Sequence, residues 1–305
     1  MKLKILDYIE NNDLDSNFLQ TKKWAELKKN EGWNYYFLNF YKKDFVGYAL
    51  LLERNEKMFK IHYIPRGPIL KNITDLKEVL ELIQNFSKEH KASFLKIEPN
   101  YEYSKENLIY FENFIESHKS YQPIDTAIIH LEEDLIKNIP SKKRGRIRNK
   151  QNLIFRETQD LEKFYNLYKK TFENKNFKGR SLSYFKDMKK YFKEDLKIFE
   201  VLSEDHVIAS SINIIHQDMI TYLYSGSDSN FNNFYPGYIL LYNTALFAQE
   251  KGLKYFDLWG ISYTNKKWAG FSEFKFNMGG KPFKFIGSFD YPINKILYKI
   301  YSKLK

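Results

Sequence analysis

Hydrophobic residues in the first third of the chain follow helical spacing and then strand-like spacing. These spacings predict one helix and then three strands: Phe18–Lys29, Tyr35–Phe40, Phe45–Glu53 and Lys60–Ile64. Pro65 and Pro68 should end the third strand, because proline has no backbone donor for a strand ladder. Strands and helices in such an order are typical of a layered α/β structure.

A helix and a strand are predicted after these prolines. The helix is indicated by apolar residues three and four positions apart: Leu76, Val79, Leu80 and Ile83. Thr74 or Asp75 can cap its first turn. Ser93–Ile97 follows as a buried strand that ends before Pro99, so this segment is predicted to run strand, helix, strand.

The second half of the chain repeats this order. It is predicted to contain a strand, two helices and three more strands: Thr126–Leu131, Leu161–Glu173, Tyr184–Phe192, Lys197–Ser203, Val207–His216 and Met219–Tyr224. The turn at residues 235–237 then opens a helix that Gly252 ends, and Tyr255–Trp259 is a further strand. One face of that helix carries Leu240, Leu241, Thr244, Ala245 and Ala248. Because roughly 100–200 residues form one domain, a chain of 305 residues predicts two domains.

The composition favours a globular protein with large cores. Hydrophobic residues make up 43% of the chain and aromatic residues 18%, which leaves some aromatic faces for stacking or for lining grooves. The absence of cysteine excludes disulfides, thiolate nucleophiles and Cys-ligated zinc, and the six scattered histidines predict no metal site. No Walker A or G-x-G-x-x-G loop is present, which argues against an ATP-hydrolysing or dinucleotide-binding enzyme.

Charge and hydropathy bear on location and partners. The first residues lack the apolar core of a signal peptide, and no run of about 18 apolar residues occurs, so we expect a cytoplasmic protein. A formal net charge of +11 favours polyanionic partners such as RNA, pyrophosphates or an anionic membrane surface. The alternative is a compositional bias of a chain rich in Lys, Asn and Ile.

Several segments between about residues 18 and 290 together resemble one enzyme family. They are Phe18-Leu19-Gln20 with Trp24, Lys28 and Gly32-Trp33; Tyr63–Pro68; Gln122–Thr126 with Leu131; Ser141–Arg144 with Ile147-Arg148; Tyr255–Gly260; and Gly270-Phe271, Phe274-Lys275 and Gly279-Gly280. This set resembles the FemABX family of aminoacyl-tRNA-dependent transferases that form peptidoglycan bridges. Two departures are Met278, where the family pattern suggests Phe, and the absence of a long heptad-patterned insertion, which favours the compact FemX-like subtype.

The resemblance implies an α/β (α+β) fold of two tandem acetyltransferase-like (GNAT) domains without a long coiled-coil insertion. Domain 1 would comprise residues 1–123 with 290–305 and bind the precursor, together with the cleft between the domains. Domain 2 would comprise residues 124–289 and face the donor tRNA. Acetyltransferase-like folds place the phosphates of an acyl donor at a helix N terminus, here the one opened by residues 235–237.

The implied reaction moves an amino acid from aminoacyl-tRNA to the stem-peptide side-chain amine of a peptidoglycan precursor, either lipid II or UDP-MurNAc-pentapeptide. An aminoacyl ester is already activated, so positioning, loss of the ammonium proton and stabilisation of the oxyanion suffice. We therefore expect no metal and no cofactor besides aminoacyl-tRNA as co-substrate. The alternatives are an acetyl-coenzyme A-dependent N-acyltransferase and a non-catalytic RNA-binding module.

Three residues are implied to be catalytic: Lys275, Glu98 and Phe274. Lys275, beside Phe274, resembles the family lysine near the donor end of the tRNA, where a fixed cation holds the acceptor phosphate or the developing oxyanion. Its alternative interpretation is an exposed lysine on a strand. Glu98 occupies the place of a family carboxylate, more often Asp, that receives or orients the amine proton; the alternative is a solvated carboxylate at a strand end.

Six residues are implied to bind the precursor: Lys28, Arg66, Arg180, Tyr184, Tyr222 and Tyr224. Lys28 and Arg180 match family positions that contact its pyrophosphate, for which the planar fork of Arg is well suited. Arg66 has the alternative role of bonding backbone carbonyls of the Pro65–Pro68 turn. Tyr222 and Tyr224 are predicted to share one face of a strand, either lining the cleft or packing in the core.

Six cations occur within nine residues and without an acid among them: Lys142, Lys143, Arg144, Arg146, Arg148 and Lys150. On a helix they would cover much of the circumference, so some can bind tRNA phosphates while others point to water. The alternative partner is anionic lipid.

The last residues predict an amphipathic helix. Its apolar positions are Ile293, Ile296, Leu297, Ile300, Tyr301 and Leu304, and we expect this stripe to be buried on domain 1. Lys295, Lys299 and Lys303 form a row, which is predicted to hold the enzyme peripherally at the inner membrane surface without insertion.

Overall fold

The computed structural model describes residues 1–9, 14–148, 152–174 and 178–304. These form two compact units: Met1–Ile124 with Lys284–Lys305, and Asp125–Phe283. The chain thus returns to the first unit earlier than residue 290. Lys150 lies outside the described residues.

Strands and helices are interspersed along both units. The strands are β1 Lys2–Leu6, β2 Asn34–Tyr41, β3 Phe45–Glu56, β4 Phe59–Pro65, β5 Ile69–Leu70, β6 Phe94–Glu98, β7 Ile115–Glu116, β8 Asp125–His130, β9 Leu153–Thr158, β10 Leu196–Ser203, β11 His206–His216, β12 Met219–Ser227, β13 Tyr255–Gly260, β14 Lys281–Lys284 and β15 Phe289–Pro292. The helices are α1 Lys22–Asn30, α2 Leu76–Glu89, α3 Lys105–Leu108, α4 Leu135–Asn138, α5 Ser141–Arg148, α6 Leu161–Asn174, α7 Leu182–Phe192, α8 Pro236–Glu250, α9 Ala269–Phe276 and α10 Lys295–Leu304. The longest of these, α8, has 15 residues, so the described part of the chain contains no long coiled-coil insertion.

The first unit is built on one sheet with strand order β1-β2-β3-β4-β6-β15-β7, and β5 pairs with β3. Neighbouring strands are antiparallel except β4 and β6, which are parallel and are connected through α2. The apolar face of α2 is buried as predicted, because Leu76, Val79, Leu80 and Ile83 pack in the core of this sheet.

The prediction that a side chain of Thr74 or Asp75 caps α2 is wrong. Asp75 occupies the N-cap position but makes no capping hydrogen bond. Its carboxylate instead accepts a hydrogen bond from Lys42 Nζ at 2.6 Å. The side chain of Asn72 accepts from the backbone N–H of Thr74 and caps the preceding turn.

The second unit repeats the arrangement on a sheet with order β14-β8-β13-β12-β11-β10-β9. Its parallel pair is β12 and β13, and α8 connects them. The predicted face of α8 is confirmed, since Leu240, Leu241, Thr244, Ala245 and Ala248 are all buried. A meander followed by a strand–helix–strand crossover therefore occurs twice, and in the second unit it places the start of α8 beside the end of β12.

The C-terminal helix α10 buries a different face from the predicted one. Tyr298 and Tyr301 face the first sheet and pack against Phe59 and Phe94. Their hydroxyls set this orientation, because a buried hydroxyl needs a hydrogen-bond partner: that of Tyr298 donates to Asp290 at 3.0 Å, and that of Tyr301 lies 2.6 Å from the hydroxyl of Tyr121. Three predicted stripe residues are exposed instead: Ile296, Ile300 and Leu304.

Candidate active site

Lys275 lies on α9 and is 1% exposed, so its interpretation as an exposed strand lysine is wrong. Its Nζ donates hydrogen bonds to the backbone carbonyls of Trp259 at 3.1 Å and Gly260 at 2.7 Å. The ring of Phe271 lies over the amine, with its centroid 4.0 Å from Nζ. The lysine is therefore fixed at the end of β13 rather than mobile in solvent.

Asp257 fixes the backbone just before these two carbonyls. Its carboxylate accepts hydrogen bonds from the backbone N–H of Trp259 at 2.7 Å and from the hydroxyl of Thr126 on β8. Trp259 adopts a left-handed conformation with φ of 63°, which is costly for a large side chain and marks a break in the β13 ladder. Asp257 was not among the site residues predicted from the sequence, although it lies within the Tyr255–Gly260 motif.

Burial lowers the pKa of Lys275 from 10.5 to about 7, and the nearby charge of Asp257 opposes this effect only in part. Removing an ammonium from water disfavours its charged form, whereas a nearby carboxylate favours it. The amine can therefore gain or lose a proton near neutral pH. A lysine of this kind can stabilise a developing negative charge or take part in proton transfer.

Phe274 and the paired glycines complete the surroundings of Lys275. Phe274 packs edge-on against Tyr238 at 4.9 Å, and a Cβ on Gly237 in the first turn of α8 would lie 3.3 Å from the Phe274 ring. Gly279 has φ of 87°, and a Cβ on Gly280 would lie 2.9 Å from Ala127 on β8. The two glycines thus allow the chain to turn from α9 into β14 against β8.

Arg180, Tyr184 and Tyr224 form a second group in this unit. The Arg180 guanidinium is exposed and lies 4.7 Å above the Tyr184 ring, and the hydroxyls of Tyr184 and Tyr224 are 3.2 Å apart. The hydroxyl of Tyr168 on α6 accepts a hydrogen bond from the Arg180 backbone N–H at 3.1 Å. Stacking on a tyrosine orients the planar guanidinium, so three residues predicted from the sequence are brought together here.

Tyr222 does not belong to that group, and the prediction that it shares a face with Tyr224 is wrong. The register of β11 and β12 shifts where Ile212 pairs with Tyr224 and Asn213 with Tyr222, so β12 carries an extra residue between the tyrosines. A bulge of this kind interrupts the alternation of side chains. Tyr222 is buried in the core cluster that includes α8, whereas Tyr224 packs against Phe185 of α7.

Arg66 is a buried residue of the first unit, 1% exposed. Its guanidinium lies 3.4 Å from the centroid of the Phe285 ring and donates to the carbonyl of Pro123 at 2.5 Å. It does bond a backbone carbonyl, but one distant in sequence from its own turn. Arg66 is therefore held by protein groups in this structure, and its binding to the precursor stays a prediction.

Glu98 ends β6 and is also 1% exposed. Its carboxylate accepts hydrogen bonds from the Tyr63 hydroxyl at 2.6 Å and from the backbone N–H groups of Tyr121 and Gln122 at 2.5 and 3.0 Å. The Ser288 hydroxyl donates a fourth at 3.2 Å. The carboxylate is thus not a solvated strand end, because it joins residues 121–122 to the sheet.

Lys28 lies on α1 of the first unit, beside the rings of Trp24 and Trp33. Its Nζ is 2.6 Å from a carboxylate oxygen of Glu31, and its side chain is 12% exposed. A precursor phosphate that binds Lys28 would have to compete with Glu31.

The basic run forms α5, as expected, but its cations differ in role. Arg144 donates to the carbonyls of Ile139 and Lys137, and Arg146 donates to the Tyr238 hydroxyl at 2.7 Å. Lys143 is half-buried and lies 3.8 Å from Glu273, whereas Lys142 and Arg148 are exposed. Arg144 and Arg146 thus bind protein groups, and contact of these five cations with tRNA stays a prediction.

Several aromatic side chains near Lys275 were not predicted from the sequence as part of a site. Tyr263, Trp268 and Phe271 are 64%, 42% and 36% exposed. The sequence does contain a signal for such a group, because four aromatic residues occur between 263 and 274, in a segment that also contains Lys266 and Lys267. Exposed rings next to cations offer stacking surfaces for bases.

A buried serine–histidine–glutamate arrangement in the first unit was also not predicted. Ser87 Oγ lies 2.9 Å from His62 Nδ1, and His62 Nε2 lies 3.0 Å from Glu53. Because Ser87 and His62 are fully buried, no substrate reaches the hydroxyl, so the arrangement stabilises the sheet rather than catalysing a reaction. The sequence separation of these residues concealed it.

This arrangement predicts a pH effect on stability. The hydrogen bond from His62, with a smaller contribution from Lys60, lowers the pKa of Glu53 from 4.5 to about 2. A depressed carboxylate pKa gives stability above about pH 4.5 that is lost as the pH falls toward 2. We expect Glu53→Gln to reduce the free energy of unfolding at pH 7 by about 1–3 kcal/mol. Chemical denaturation between pH 2 and 7 measures this, with the exposed Glu81→Gln as control. An unchanged acid dependence in Glu53→Gln would contradict the assignment.

Within the described ranges, no group of three or more His, Asp or Glu side chains is arranged to hold a metal ion. No helix there is long and apolar enough to span a bilayer.

Comparisons with known proteins agree over nearly the whole chain. The FemAB family model matches residues 4–121, 116–202 and 198–305. Lipid II:glycine glycyltransferases of Staphylococcus saprophyticus and Staphylococcus aureus strain USA300 are each 24% identical to the chain, with 95% of this chain and 91% of the relative covered. The first alignment extends over 379 residues, more than this chain contains, so the relative has segments without a counterpart here.

Solved structures show the same fold. FemX superposes with a TM-score of 0.85 at 22% identity, covering 95% of this chain and 96% of FemX. L-PGS from Bacillus licheniformis gives a TM-score of 0.57 at 15% identity, with 88% of both chains covered. A tandem GNAT protein from the clavulanic acid pathway gives 0.54 at 9% identity, covering 96% of this chain and 99% of that protein. The predicted fold of two acetyltransferase-like domains is thereby confirmed.

Proposed function

This chain belongs to the FemAB family, and from that premise we propose that it transfers an amino acid from aminoacyl-tRNA to the stem-peptide side-chain amine of a peptidoglycan precursor. The relatives named lipid II:glycine glycyltransferases support this substrate class. The observation that carries the proposal is Lys275, a buried amine with a pKa of about 7 that two carbonyls hold at the end of β13.

The proposed chemistry forms one amide bond and breaks one ester bond. The precursor amine, after losing its proton, attacks the ester carbonyl and produces a tetrahedral oxyanion. Protonated Lys275 stabilises this negative charge in a water-poor site, where such an interaction is much stronger than in water. The attacking nitrogen then gives up a second proton as the carbon–oxygen bond to the ribose breaks. The ribose oxygen takes up a proton to become the free hydroxyl of the tRNA, and the amide is left neutral. Phe274 and Tyr238 help to exclude water from this step.

The donor binds the second unit in this proposal. Lys142 and Arg148 are exposed on α5, and Arg146 lies 4.8 and 4.9 Å from the rings of Tyr235 and Tyr238 at the start of α8. A helix N terminus and nearby cations both favour phosphate. Cations of α5 therefore meet the tRNA backbone, while Arg144 keeps α5 attached to α4 through its carbonyl bonds.

In this proposal the precursor phosphate binds Arg180 of the second unit. Arg180 presents an exposed guanidinium already oriented by Tyr184, which suits two oxygens of one phosphate. Arg66 and Glu98 act indirectly in this proposal, because both are buried and hold the backbone of residues 121–123.

We expect the rate of transfer from charged tRNA to fall steeply as the salt concentration rises. Each phosphate contact that is lost lowers the slope of log affinity against log salt by roughly 0.7–0.9. Lys142→Gln with Arg148→Gln should therefore weaken the use of charged tRNA. The magnitude of that slope should fall by the equivalent of roughly two phosphate contacts. Transfer rates over a series of salt concentrations measure this effect.

The matched control is Lys169→Gln with Lys190→Gln, which removes the same charge from the same unit. Transfer that survives RNase treatment of the donor, or an equal slope in both double variants, would contradict the assigned tRNA contacts.

A further inference from the structure

Helix α10 presents two parallel rows of side chains to solvent. Ile296, Ile300 and Leu304 are 74%, 38% and 69% exposed and lie four residues apart. Lys295, Lys299 and Lys303 each precede one of them and are also exposed. Residues four apart in a helix lie nearly above one another, so an apolar row runs directly beside a cationic row.

The rest of α10 explains why these rows remain uncovered. Tyr298 and Tyr301 use the opposite side of the helix to pack against Phe59 and Phe94. Asn294 caps the first turn by accepting from the backbone N–H groups of Ile296 and Leu297 at 3.1 and 3.0 Å. The helix is thus fixed to the first sheet, and its exposed side is held in one orientation.

The chemistry of the exposed side selects an anionic lipid surface. Residues 294–304 contain no Asp or Glu, so nothing within the helix neutralises the three lysines. Branched aliphatic side chains favour the boundary between headgroups and acyl chains, while adjacent lysines favour anionic headgroups. Nucleic acid would use the lysines but would leave the aliphatic row exposed to water, and an apolar protein surface would leave the lysines unpaired.

We propose that α10 docks the protein on an anionic bilayer, with Ile296, Ile300 and Leu304 entering the interfacial region and Lys295, Lys299 and Lys303 contacting the headgroups. This extends the sequence prediction, which gave the membrane role to the lysines alone and excluded insertion. The proposal is independent of the transfer reaction, because binding requires neither donor nor precursor.

The test is co-sedimentation of the full chain with vesicles of phosphatidylcholine, alone or mixed with phosphatidylglycerol, without RNA or precursor. We expect binding only to the mixed vesicles. Ile296→Ser with Ile300→Ser and Leu304→Ser, and separately Lys295→Gln with Lys299→Gln and Lys303→Gln, should each reduce the bound fraction by roughly tenfold or more.

Two control variants match these changes at exposed positions elsewhere. Ile5→Ser with Ile109→Ser and Ile154→Ser alters the same number of exposed aliphatic residues, and Lys43→Gln with Lys77→Gln and Lys88→Gln removes the same charge from the same unit. Both should sediment like the parent protein. Thermal unfolding of all variants checks that α10 remains packed.

Three results would overturn the proposal. The first is that the parent protein fails to bind mixed vesicles. The second is that the variant with serine at positions 296, 300 and 304 binds as the parent does, which would leave only attraction between the lysines and the headgroups. The third is self-association of the parent in analytical ultracentrifugation that the serine variant abolishes, which would assign the apolar row to a second copy of this chain.

Discussion

Lys275→Ala is expected to lower kcat by about 10²- to 10³-fold while changing the affinity for the precursor little. The reason is that the lysine acts on charge that develops only in the transition state, a contribution of about 3–4 kcal/mol when one such donor is lost. Single-turnover transfer from charged tRNA measures the rate, and titration with precursor alone measures affinity. Because the pKa of Lys275 is about 7, the protonated fraction falls as the pH rises through 7. The parent rate should therefore lose this contribution above that pH, and the variant should not.

Two further variants separate chemistry from folding. Lys275→Met retains an unbranched side chain in the buried space without the amine, so its rate should be as low as that of Lys275→Ala while its cavity is smaller. Lys281→Ala removes an exposed lysine on β14 that pairs with Glu133 and should leave kcat unchanged. A Lys275→Met protein that keeps the parent rate would remove Lys275 from the mechanism.

Arg180→Ala is expected to raise the KM for the precursor by roughly 10- to 100-fold with kcat largely retained, since a hydrogen bond to a charged group contributes about 1.5–3 kcal/mol. Arg180→Lys keeps the charge but loses the planar fork and its stacking on Tyr184, so its KM should lie between those of the parent and Arg180→Ala. Steady-state rates over a range of precursor concentrations at saturating charged tRNA give both constants.

The matched control is Lys186→Ala, which removes an exposed cation of α7 that pairs with Glu162. Its KM should equal that of the parent. If Arg180→Ala lowered kcat and left KM unchanged, Arg180 would act on the transition state and its assignment to precursor binding would fail.

The sequence predicted nine strands of the two sheets and their long helices, because core-facing elements carry periodic apolar residues. Six strands were not predicted: β1, β5, β7, β9, β14 and β15. The bounds of β2, β3 and β4 differ from their predictions by a few residues at most, and the buried face of α8 is the predicted one. Side-chain periodicity follows from backbone geometry, so these features depend on local sequence alone.

Features that depend on distant contacts were not predicted. The bulge that separates Tyr222 from Tyr224 arises from pairing between β11 and β12, which single-strand alternation does not reveal. The rotation of α10 follows from the partners of its tyrosine hydroxyls, Asp290 and Tyr121. A helical wheel counts apolar side chains and does not register these bonds.

The candidate site was also predicted only in part. Motifs identified Lys275, Phe274 and Arg180 as residues of interest. They did not predict that Lys275 is buried on a helix or that Asp257 accepts a hydrogen bond from the backbone N–H of Trp259. Arg66 was predicted to bind the precursor, and Glu98 was predicted to act on the amine proton because it matches the position of a family carboxylate. Their burial and their bonds to backbone groups are tertiary properties that residue type does not specify.

Mass analysis of the product shows directly whether the protein transfers an amino acid from charged tRNA. The protein is incubated with lipid II or its soluble nucleotide precursor and, in separate reactions, with charged tRNA or acetyl-coenzyme A. We expect the precursor to gain the mass of an aminoacyl residue at its stem-peptide side-chain amine only with charged tRNA, and Lys275→Met to form far less of this product. Acetylated precursor, or no change in precursor mass with charged tRNA under conditions where the protein is folded, would contradict aminoacyl-tRNA-dependent transfer.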